Sequence, residues 1–257
     1  MQALMMQSQL MISSILTHAE KNFPDVEMVS VTVDNPRHRQ NYKTFAKRCR
    51  QLANVLSSLG AKFGDRIGTL AWNDYRHMEL YYGISGSGMV CHTINPKLFP
   101  EQVSYIINHA EDKILFADVL VMPLLEALKA HLGKIEAIVV MTESAHMPES
   151  TLPNVLCYEE LLAEQSDDFD WPEFDENTAS GMCYTSGTTG NPKGVVYSHR
   201  STLLHALAGS LPDVTGASNM QTSLPVVPMF HVNAWGAPYA ALMVGMKLVL
   251  PGPKTVS

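Results

Sequence analysis

Short apolar runs alternate with longer helix-like segments through the first half of the chain, and this alternation limits the fold more than any other feature of the sequence. The apolar runs predict strands at residues 67–72, 89–94, 113–117 and 137–141. Helices are predicted between them, at residues 74–85 with Asn73 or Asp74 as the cap, from Pro100 onward and at residues 119–132. Strands that alternate with helices at this spacing indicate right-handed βαβ crossovers. The predicted fold class is therefore α/β, with mostly parallel sheets flanked by helices.

Segments on either side extend this pattern. Upstream, residues 26–33 predict a strand and residues 34–41 a solvated turn, followed by a helix that Thr44 caps and Gly60 ends. A short N-terminal helix is predicted from one apolar face, formed by Leu10, Ile12, Ile15 and Leu16. Downstream, strands are predicted at residues 179–184, 195–198, 222–227 and 247–250, and helices at residues 201–211 and 235–244.

An acidic stretch divides the chain into two predicted parts. Acidic side chains crowd residues 165–177, and three aromatic side chains interrupt them, Phe169, Trp171 and Phe174. We interpret this stretch as a solvated connection whose aromatic rings attach it to the body of the protein. The predicted domains are a first α/β subdomain at residues 1–177 and the start of a second at residues 178–257. Because the sequence ends as a new turn begins, the second subdomain is expected to be truncated.

Composition excludes several classes of function. The chain has 257 residues and a formal net charge of -7, so it lacks the basic surface of a nucleic-acid-binding protein. Its four cysteines form no CxxC pair, which argues against a zinc site and against a disulfide framework. No apolar run approaches the ~20 residues of a membrane span, and the N-terminus lacks the features of a signal peptide. The predicted location is the cytoplasm.

The histidines show no metal-ligand spacing. Six are scattered along the chain: His18, His77, His92, His109, His131 and His146. Most of these six are predicted to lie on helix surfaces or in turns. Asn95 and Pro96 follow a predicted strand and mark a loop at its carboxyl end, where α/β sheets usually bind ligands. A simple tight turn explains the same pair equally well.

A loop rich in glycine and hydroxyl side chains occupies residues 184–194, with the sequence Tyr-Thr-Ser-Gly-Thr-Thr-Gly-Asn-Pro-Lys-Gly. It offers almost nothing apolar to bury, but its backbone N–H groups, its hydroxyls and Lys193 suit an anion. An ordinary turn between two strands is the alternative. The Walker template fails because Pro192 precedes Lys193 and Gly194 follows it, and the spacing of Gly187 and Gly190 excludes the dinucleotide fingerprint.

The whole loop resembles the phosphate loop of the adenylate-forming superfamily, which includes acyl-CoA synthetases, luciferases and peptide-synthetase adenylation domains. Residues 228–235, Pro-Met-Phe-His-Val-Asn-Ala-Trp, resemble the next motif of that family at the expected distance downstream. Residues 71–77 and 92–102 resemble the fatty-acyl-CoA ligase branch. The resemblance spans nearly the whole chain and implies the N-terminal portion of the large domain of an acyl-CoA synthetase.

The resemblance implies a reaction in two steps. A carboxylate attacks the α-phosphorus of ATP and releases pyrophosphate, and the thiol of coenzyme A then captures the acyl-adenylate. It also implies ATP, Mg²⁺ and coenzyme A as cofactor and co-substrates, with Thr185 near the Mg²⁺ ion. The residues implied to bind the phosphates are Thr185, Ser186, Gly187, Thr188, Thr189, Gly190 and Lys193. Tyr184, at the end of the preceding strand, is interpreted as a packing residue.

Two residues of the second motif are implied to contact the acyl group. His231 occupies the position of a family histidine beside the reacting carboxylate and α-phosphate, so His231 and Lys193 are the candidate catalytic residues. A satisfied core histidine is the alternative for His231. Trp235 resembles a residue that gates the acyl tunnel in long-chain members, and the small residues after it leave room either for an alkyl chain or for close helix packing.

Later family motifs have no counterpart in this sequence, among them a magnesium-binding glutamate, a ribose-binding aspartate and the lysine of a mobile C-terminal domain. We therefore expect an N-terminal fragment of a fatty-acyl-CoA ligase that is inactive alone. The rival hypothesis is a truncated module that binds a nucleotide or a partner without catalysis, and a phosphotransferase is a more distant alternative. The full-length protein is expected to bind fatty acid, ATP and coenzyme A. A homodimer through the N-terminal segment and peripheral membrane association are further expectations.

Overall fold

A seven-stranded sheet forms the centre of the protein, whose computed structural model describes residues 1, 4–185 and 190–253. Its strands are β3 (Arg66–Leu70), β4 (Val90–Thr93), β5 (Ile114–Ala117), β6 (Ala137–Val140), β7 (Val155–Cys157), β8 (Ala179–Thr185) and β9 (Lys193–Ser198). They lie in the order β7-β6-β5-β3-β4-β8-β9. All neighbours are parallel except the antiparallel pair β8 and β9. The sheet confirms the predicted α/β class.

Apolar side chains on both faces of this sheet are buried under helices. Ile114 and Phe116 of β5 belong to one buried cluster, whereas Leu115 and Ala117, which alternate with them, belong to another. The helices are α1 (Ile12–Asn22), α2 (Tyr42–Ser58), α3 (Tyr75–Gly86), α4 (Pro100–Ala110), α5 (Met122–Ala127), α6 (Tyr158–Ala163), α7 (His199–Gly209) and α8 (Ala237–Val244). Helices α2 and α3 contribute to the first cluster, and α4 and α5 to the second. None of the helices in the described part of the chain is both long and apolar enough to cross a membrane.

A smaller sheet joins the two ends of the described chain. Its strands are β1 (Glu27–Ser30), β2 (His38–Asn41), β10 (Thr222–Ser223) and β11 (Lys247–Leu250), in the order β10-β11-β1-β2. β1 pairs in parallel with β11, and Met28 faces Leu248. Both of the predicted subdomains therefore contribute strands to both sheets. The predicted boundary between residues 177 and 178 stays a prediction.

The region before α2 differs from the predicted solvated turn. Its second half is β2, which pairs with β1 over four residues and buries the side chain of Gln40. The cap of α2 is Asn41 rather than Thr44, because the side chain of Asn41 accepts a hydrogen bond from the backbone N–H of Thr44 at 2.9 Å. Asp74, one of the two predicted caps of α3, accepts in the same way from the N–H of His77 at 2.8 Å.

Two elements are shorter than predicted, and a proline lies within or just after each of them. The helix predicted at residues 119–132 is broken, and α5 covers only six of these residues because Pro123 lacks the N–H that would continue the preceding turn. The strand predicted at residues 222–227 ends after Ser223, two residues before Pro225.

Just before the stretch interpreted as a connection lie two elements that the sequence pattern did not predict, the edge strand β7 and helix α6. β7 is only three residues long, so it carries little periodic signal. The predicted aromatic attachments are confirmed. Phe174 packs edge-on against Phe63 at 5.2 Å between ring centroids, and Trp171 lies so close to Gly86 that a Cβ there would come within 2.7 Å of the indole.

Two histidines predicted at the surface or in turns are in fact fully buried. Nε2 of His77 lies 3.0 Å from the hydroxyl of Thr69, and its Nδ1 lies 2.9 Å from the carbonyl oxygen of Trp72. Burial lowers the pKa of His77 to about 4, so this ring is neutral at pH 7. His92 is buried beside Asp112, with Nδ1 at 2.8 Å and 2.9 Å from the two carboxylate oxygens.

A buried network of charges links α3 to the elements around it. The guanidinium of Arg76, 1% exposed, binds the carboxylate of Asp34 at 2.8 Å and that of Glu159 at 2.7 Å. Glu79, also on α3, is fully buried and binds Arg48 of α2 at 2.7 Å. Burial alone raises the pKa of Asp34, but hydrogen bonds from Arg76 and from the hydroxyl of Thr32 hold it well below its usual range. Asp34 thus depends on Arg76 for compensation, whereas Glu159 is shared between Arg76 and Arg48, which binds it at 3.0 Å.

Removing the central cation is expected to be costly. Arg76→Ala leaves the buried carboxylate of Asp34 without its cation and Glu159 with Arg48 alone, so we expect the free energy of unfolding to fall by about 3–5 kcal/mol. Arg39→Ala is the matched control, since the side chain of Arg39 is 61% exposed where it binds Glu27, and it is expected to cost no more than about 1 kcal/mol. Urea denaturation at pH 7 measures both losses, and equal losses would contradict the importance of the buried network.

Candidate functional site

The carboxyl ends of β4 and β8 lie side by side, because the two strands pair in parallel through Thr93 and Cys183. A cavity of about 270 Å³ opens at this edge of the sheet. Its lining residues are Thr93, Ile94, Asn95, Leu98, Ile106, Cys183, Tyr184, Thr185, Val195, Tyr197, Phe230, His231 and Val232. We call this the first cavity. It lies where ligands bind in open α/β sheets, and it includes Asn95, the residue predicted to mark such a loop.

The hairpin of β8 and β9 carries both ends of the predicted phosphate loop. Thr185 faces Lys193 in the strand register, and the hydroxyl of Thr185 lies 3.5 Å from the carbonyl oxygen of Lys193. Both side chains are exposed, and Thr185 also lines the first cavity. Gly190 has a φ of 112°, which L side chains rarely adopt. Four other predicted phosphate-binding residues lie outside the described residues: Ser186, Gly187, Thr188 and Thr189.

Asn73 fixes the segment that carries His231. Its side-chain amide donates to the carbonyl oxygens of Pro225 and Val227, both at 2.9 Å, and its carbonyl oxygen accepts from the backbone N–H of Met229 at 2.7 Å. Asn73 therefore satisfies three backbone groups of a segment that has little regular structure of its own. The sequence pattern predicts Asn73 only as a candidate helix cap and gives no sign of this role.

Further contacts hold the same segment over the end of β4. The hydroxyl of Thr93 donates to the carbonyl oxygen of Phe230 at 3.4 Å, and the ring of Phe230 packs edge-on against Trp72. His231, the next residue, is exposed and lines the first cavity together with Thr185. The interpretation of His231 as a buried core histidine is therefore wrong.

A left-handed turn follows His231. The φ values of Val232, Asn233, Ala234 and Trp235 all lie between 47° and 56°. Such values are unfavourable for a β-branched residue such as Val232, and strained backbone of this kind occurs most often at functional sites. Because of this turn, α8 begins at Ala237, two residues after the predicted start at Trp235.

Trp235 lies at the rim of a second, mostly apolar cavity of about 370 Å³, which we call the second cavity. Its lining residues are Tyr197, Ser201, Thr202, His205, Val232, Asn233, Trp235, Gly236 and Tyr239. Nε2 of His205 lies 3.1 Å from the carbonyl oxygen of Trp235, and a Cβ at Gly236 would come within 2.7 Å of the His205 ring. The two cavities share Tyr197 and Val232, so they are neighbours on one surface.

The first cavity suits a negatively charged ligand. None of the described residues that line it is a carboxylate, so an incoming phosphate meets no like charge on its wall. Tyr184 also lines it, and burial raises the pKa of this phenol to about 12, so the phenol adds no negative charge to the wall. Among the described residues, no group of three or more histidine, cysteine or acidic side chains is placed to hold a metal ion.

Sequence comparison identifies the family to which this site belongs. A model described as AMP-binding enzyme matches residues 16–256, almost the whole chain. The chain belongs to the AMP-binding enzyme family. A medium-chain-fatty-acid–CoA ligase of Ectopseudomonas oleovorans is 50% identical to this AMP-binding chain over 97% of its length. A 3-methylmercaptopropionyl-CoA ligase of Ruegeria lacuscaerulensis is 51% identical over the same share.

The fold of this AMP-binding chain also matches that of known ligases. The crystal structure of an anthranilate CoA ligase in complex with anthranoyl-AMP superimposes on 97% of the chain with a TM-score of 0.83, at 24% identity. The chain spans 46% of the length of this ligase and 46% of each relative named above. The family match, at residues 16–256, includes both sheets and the segments that line the two cavities.

The anchoring role of Asn73 leads to a stability prediction. Asn73→Ala leaves the N–H of Met229 buried without a partner and frees two carbonyl oxygens, so we expect a loss of about 1–3 kcal/mol in the free energy of unfolding. Asn22→Ala is the control, because among the described residues the exposed side chain of Asn22 bonds only to His18 one turn earlier, and its loss should stay within about 0.5 kcal/mol. Thermal and urea unfolding measure both variants. An Asn73 variant as stable as the control would refute the anchor.

Proposed function

We propose that this chain is the N-terminal part of an ATP-dependent fatty-acyl-CoA ligase. The full-length protein joins a carboxylate to ATP, which yields acyl-AMP and pyrophosphate, and then transfers the acyl group to the thiol of coenzyme A with release of AMP. The observation that carries the proposal is the position of Thr185 and His231 on the wall of one cavity at the carboxyl ends of β4 and β8. Relatives that are named as acyl-CoA ligases, and whose sequences are 50% and 51% identical to this chain, support it.

Pyrophosphate gains negative charge as it leaves the α-phosphorus, and the hairpin carries groups that suit this charge. Lys193 supplies a full positive charge at one end of the loop, and Thr185 supplies a hydroxyl at the other. Ser186, Gly187, Thr188, Thr189 and Gly190 complete the proposed phosphate-binding set. Bound Mg²⁺ would neutralise phosphate charge, and the exposed hydroxyl of Thr185 would supply one ligand, as a loop serine or threonine does in other phosphate-binding enzymes.

His231 is proposed to orient the reacting carboxylate. It is exposed in the first cavity, and the second cavity begins one residue further along the chain, at Val232. A fatty acid with its carboxylate at His231 would therefore place its alkyl chain in the second cavity, beside Trp235. The mostly apolar wall of the second cavity supports this orientation.

We further propose that the chain does not catalyse the reaction alone. It spans less than half of the ligases it matches. Around the two cavities it also exposes large apolar side chains, among them Val196, Leu204, Leu207 and Trp235. Apolar surface of this kind usually marks an interface, and further residues of a full-length ligase would cover it. Cytoplasmic location, homodimer formation and peripheral membrane association stay predictions.

The turnover assay that tests the proposal uses the full-length protein with ATP, a fatty acid and coenzyme A. We expect AMP and pyrophosphate, with AMP formation dependent on both the acid and the thiol, and no turnover by residues 1–257 alone. ADP as the product would instead indicate a phosphotransferase. ATP binding by the full-length protein without any turnover would support the rival, a non-catalytic nucleotide-binding module.

Lys193→Ala tests the loop directly. Without the ammonium group, the charge on the leaving pyrophosphate is less stabilised, so adenylation should slow on the order of 100-fold while carboxylate binding stays nearly intact. Lys62→Ala is the control, because Lys62 is exposed and precedes the amino end of β3, at the opposite edge of the sheet. Pyrophosphate release in a single turnover measures the effect. Release at the wild-type rate would refute the role of Lys193.

Trp235→Ala tests the acyl site. Loss of the indole enlarges the rim of the second cavity, so the ratio of kcat/KM for palmitate to that for hexanoate should rise by roughly tenfold or more, since each well-packed methylene is worth about 1 kcal/mol or more. Rates across a series of fatty acids, from butyrate to palmitate, give this ratio. Leu211→Ala, a change of an exposed residue outside the cavity lining, is the control. A parallel fall in rate for every acid would argue against a role of Trp235 in chain-length preference.

A further inference from the structure

Tyr184 lies directly beneath the two ends of the phosphate loop. In the hairpin register it faces Gly194, one step before the pair formed by Thr185 and Lys193. A Cβ at Gly194 would lie 3.2 Å from two atoms of the Tyr184 ring, so the ring already touches the backbone of β9. The position of this one ring therefore bears on both ends of the loop.

Two histidines hold the ring of Tyr184 from the other side. The hydroxyl of Tyr184 lies 2.7 Å from Nδ1 of His109 on α4. The imidazole of His92 on β4 lies 5.2 Å from the Tyr184 ring, centroid to centroid, at an angle of 46°. Tyr184 thus connects the hairpin to both the neighbouring strand and the helix that covers it.

The orientation of His92 is itself fixed. Its Nδ1 lies within 2.9 Å of both carboxylate oxygens of Asp112, and both side chains are fully buried. The carboxylate fits because its neighbour on β3 is glycine, where a Cβ at Gly68 would come within 3.1 Å of it. Within the described structure Nε2 of His92 has no hydrogen-bond partner. Burying such a pair, with one nitrogen unsatisfied, costs free energy of folding. Apolar side chains would be enough to pack a strand at this position.

We propose that Tyr184 is a positioning residue for Thr185 and Lys193, and that the His92–Asp112 pair and His109 hold its ring in place. The proposal rests on the proposed function, because it assigns Thr185 and Lys193 to ATP. A rigid base for the two ends of the loop lowers the conformational entropy lost when phosphates bind. Loss of that base should therefore weaken ATP binding and leave fatty-acid binding unchanged.

Direct ATP binding and steady-state kinetics of the full-length protein test the proposal together. Tyr184→Phe keeps the ring and removes the bond to His109, so Kd and KM for ATP should rise roughly threefold to tenfold. Tyr184→Leu also removes the ring face and should raise both further. His92→Gln keeps a donor for Asp112 but removes the imidazole, and should resemble Tyr184→Phe. In all three the KM for the fatty acid should stay within about twofold of the wild-type value.

Tyr105→Phe is the matched control, since Tyr105 stacks on His109 in the same helix, and its Kd for ATP should be unchanged. Thermal unfolding identifies variants that fail to fold. If the larger substitutions fail to fold, the result for Tyr184→Phe, which removes only one hydroxyl, decides between the outcomes. If wild-type protein forms AMP but all variants bind ATP as the control does, the positioning role is wrong and the ligase function stands. Equal rises in KM for ATP and fatty acid would indicate a merely structural role and overturn the proposal. If wild-type protein binds ATP without forming AMP, the ligase function fails, and the Kd values still test the role of Tyr184.

Discussion

The parallel pairing of β4 with β8 is the contact on which the candidate site depends. It joins strands that are far apart in sequence and places their carboxyl ends next to each other. Thr93 at the end of β4 then reaches the segment before His231, and β8 delivers Thr185 to the same edge. Parallel strands have all their carboxyl ends at one edge of the sheet. The strand order alone therefore brings together the hydroxyl of Thr185, the imidazole of His231 and the ends of the phosphate loop.

The buried charges around α3 help to hold the candidate site in position. Asn73, which anchors the segment before His231, immediately precedes the cap of α3, while Arg76 and Glu79 bind partners on other elements. A buried ion pair contributes little net stability but tolerates few alternative geometries. The network therefore fixes the position of α3, and with it the position of Asn73. Apolar packing alone would constrain the helix less, since it is not directional.

Much of the fold follows from sequence periodicity, because strands buried on both faces and amphipathic helices leave clear patterns. The sheet from β3 to β6 and the helices α2 to α4 were predicted close to their observed bounds. β2, β7 and α6 were not predicted, since all three are short, β2 is also polar, and their formation depends on packing against other elements.

The candidate site, like the fold, was predicted only in part from the sequence. Motif resemblance predicted Thr185, His231 and Trp235, and the first two line one cavity while the third lies at the rim of the next. The contacts that hold them came only from the structure. Asn73 reaches Met229, and His92 faces both Asp112 and Tyr184, across long stretches of sequence. No local pattern marks such contacts, because each residue type involved is common in caps, turns and strands.

The parallel pair of β1 and β11 also has a consequence for how the protein is made. These strands contain the first and the last sheet residues of the described chain, so the smaller sheet cannot close until β11 has left the ribosome. The larger sheet can begin to assemble earlier from β3 to β6, whose pairings span shorter loops. Until synthesis reaches β11, β1 and β2 remain a two-stranded ribbon, which is marginally stable alone. During this interval the edge of β1 that later pairs with β11 stays unpaired.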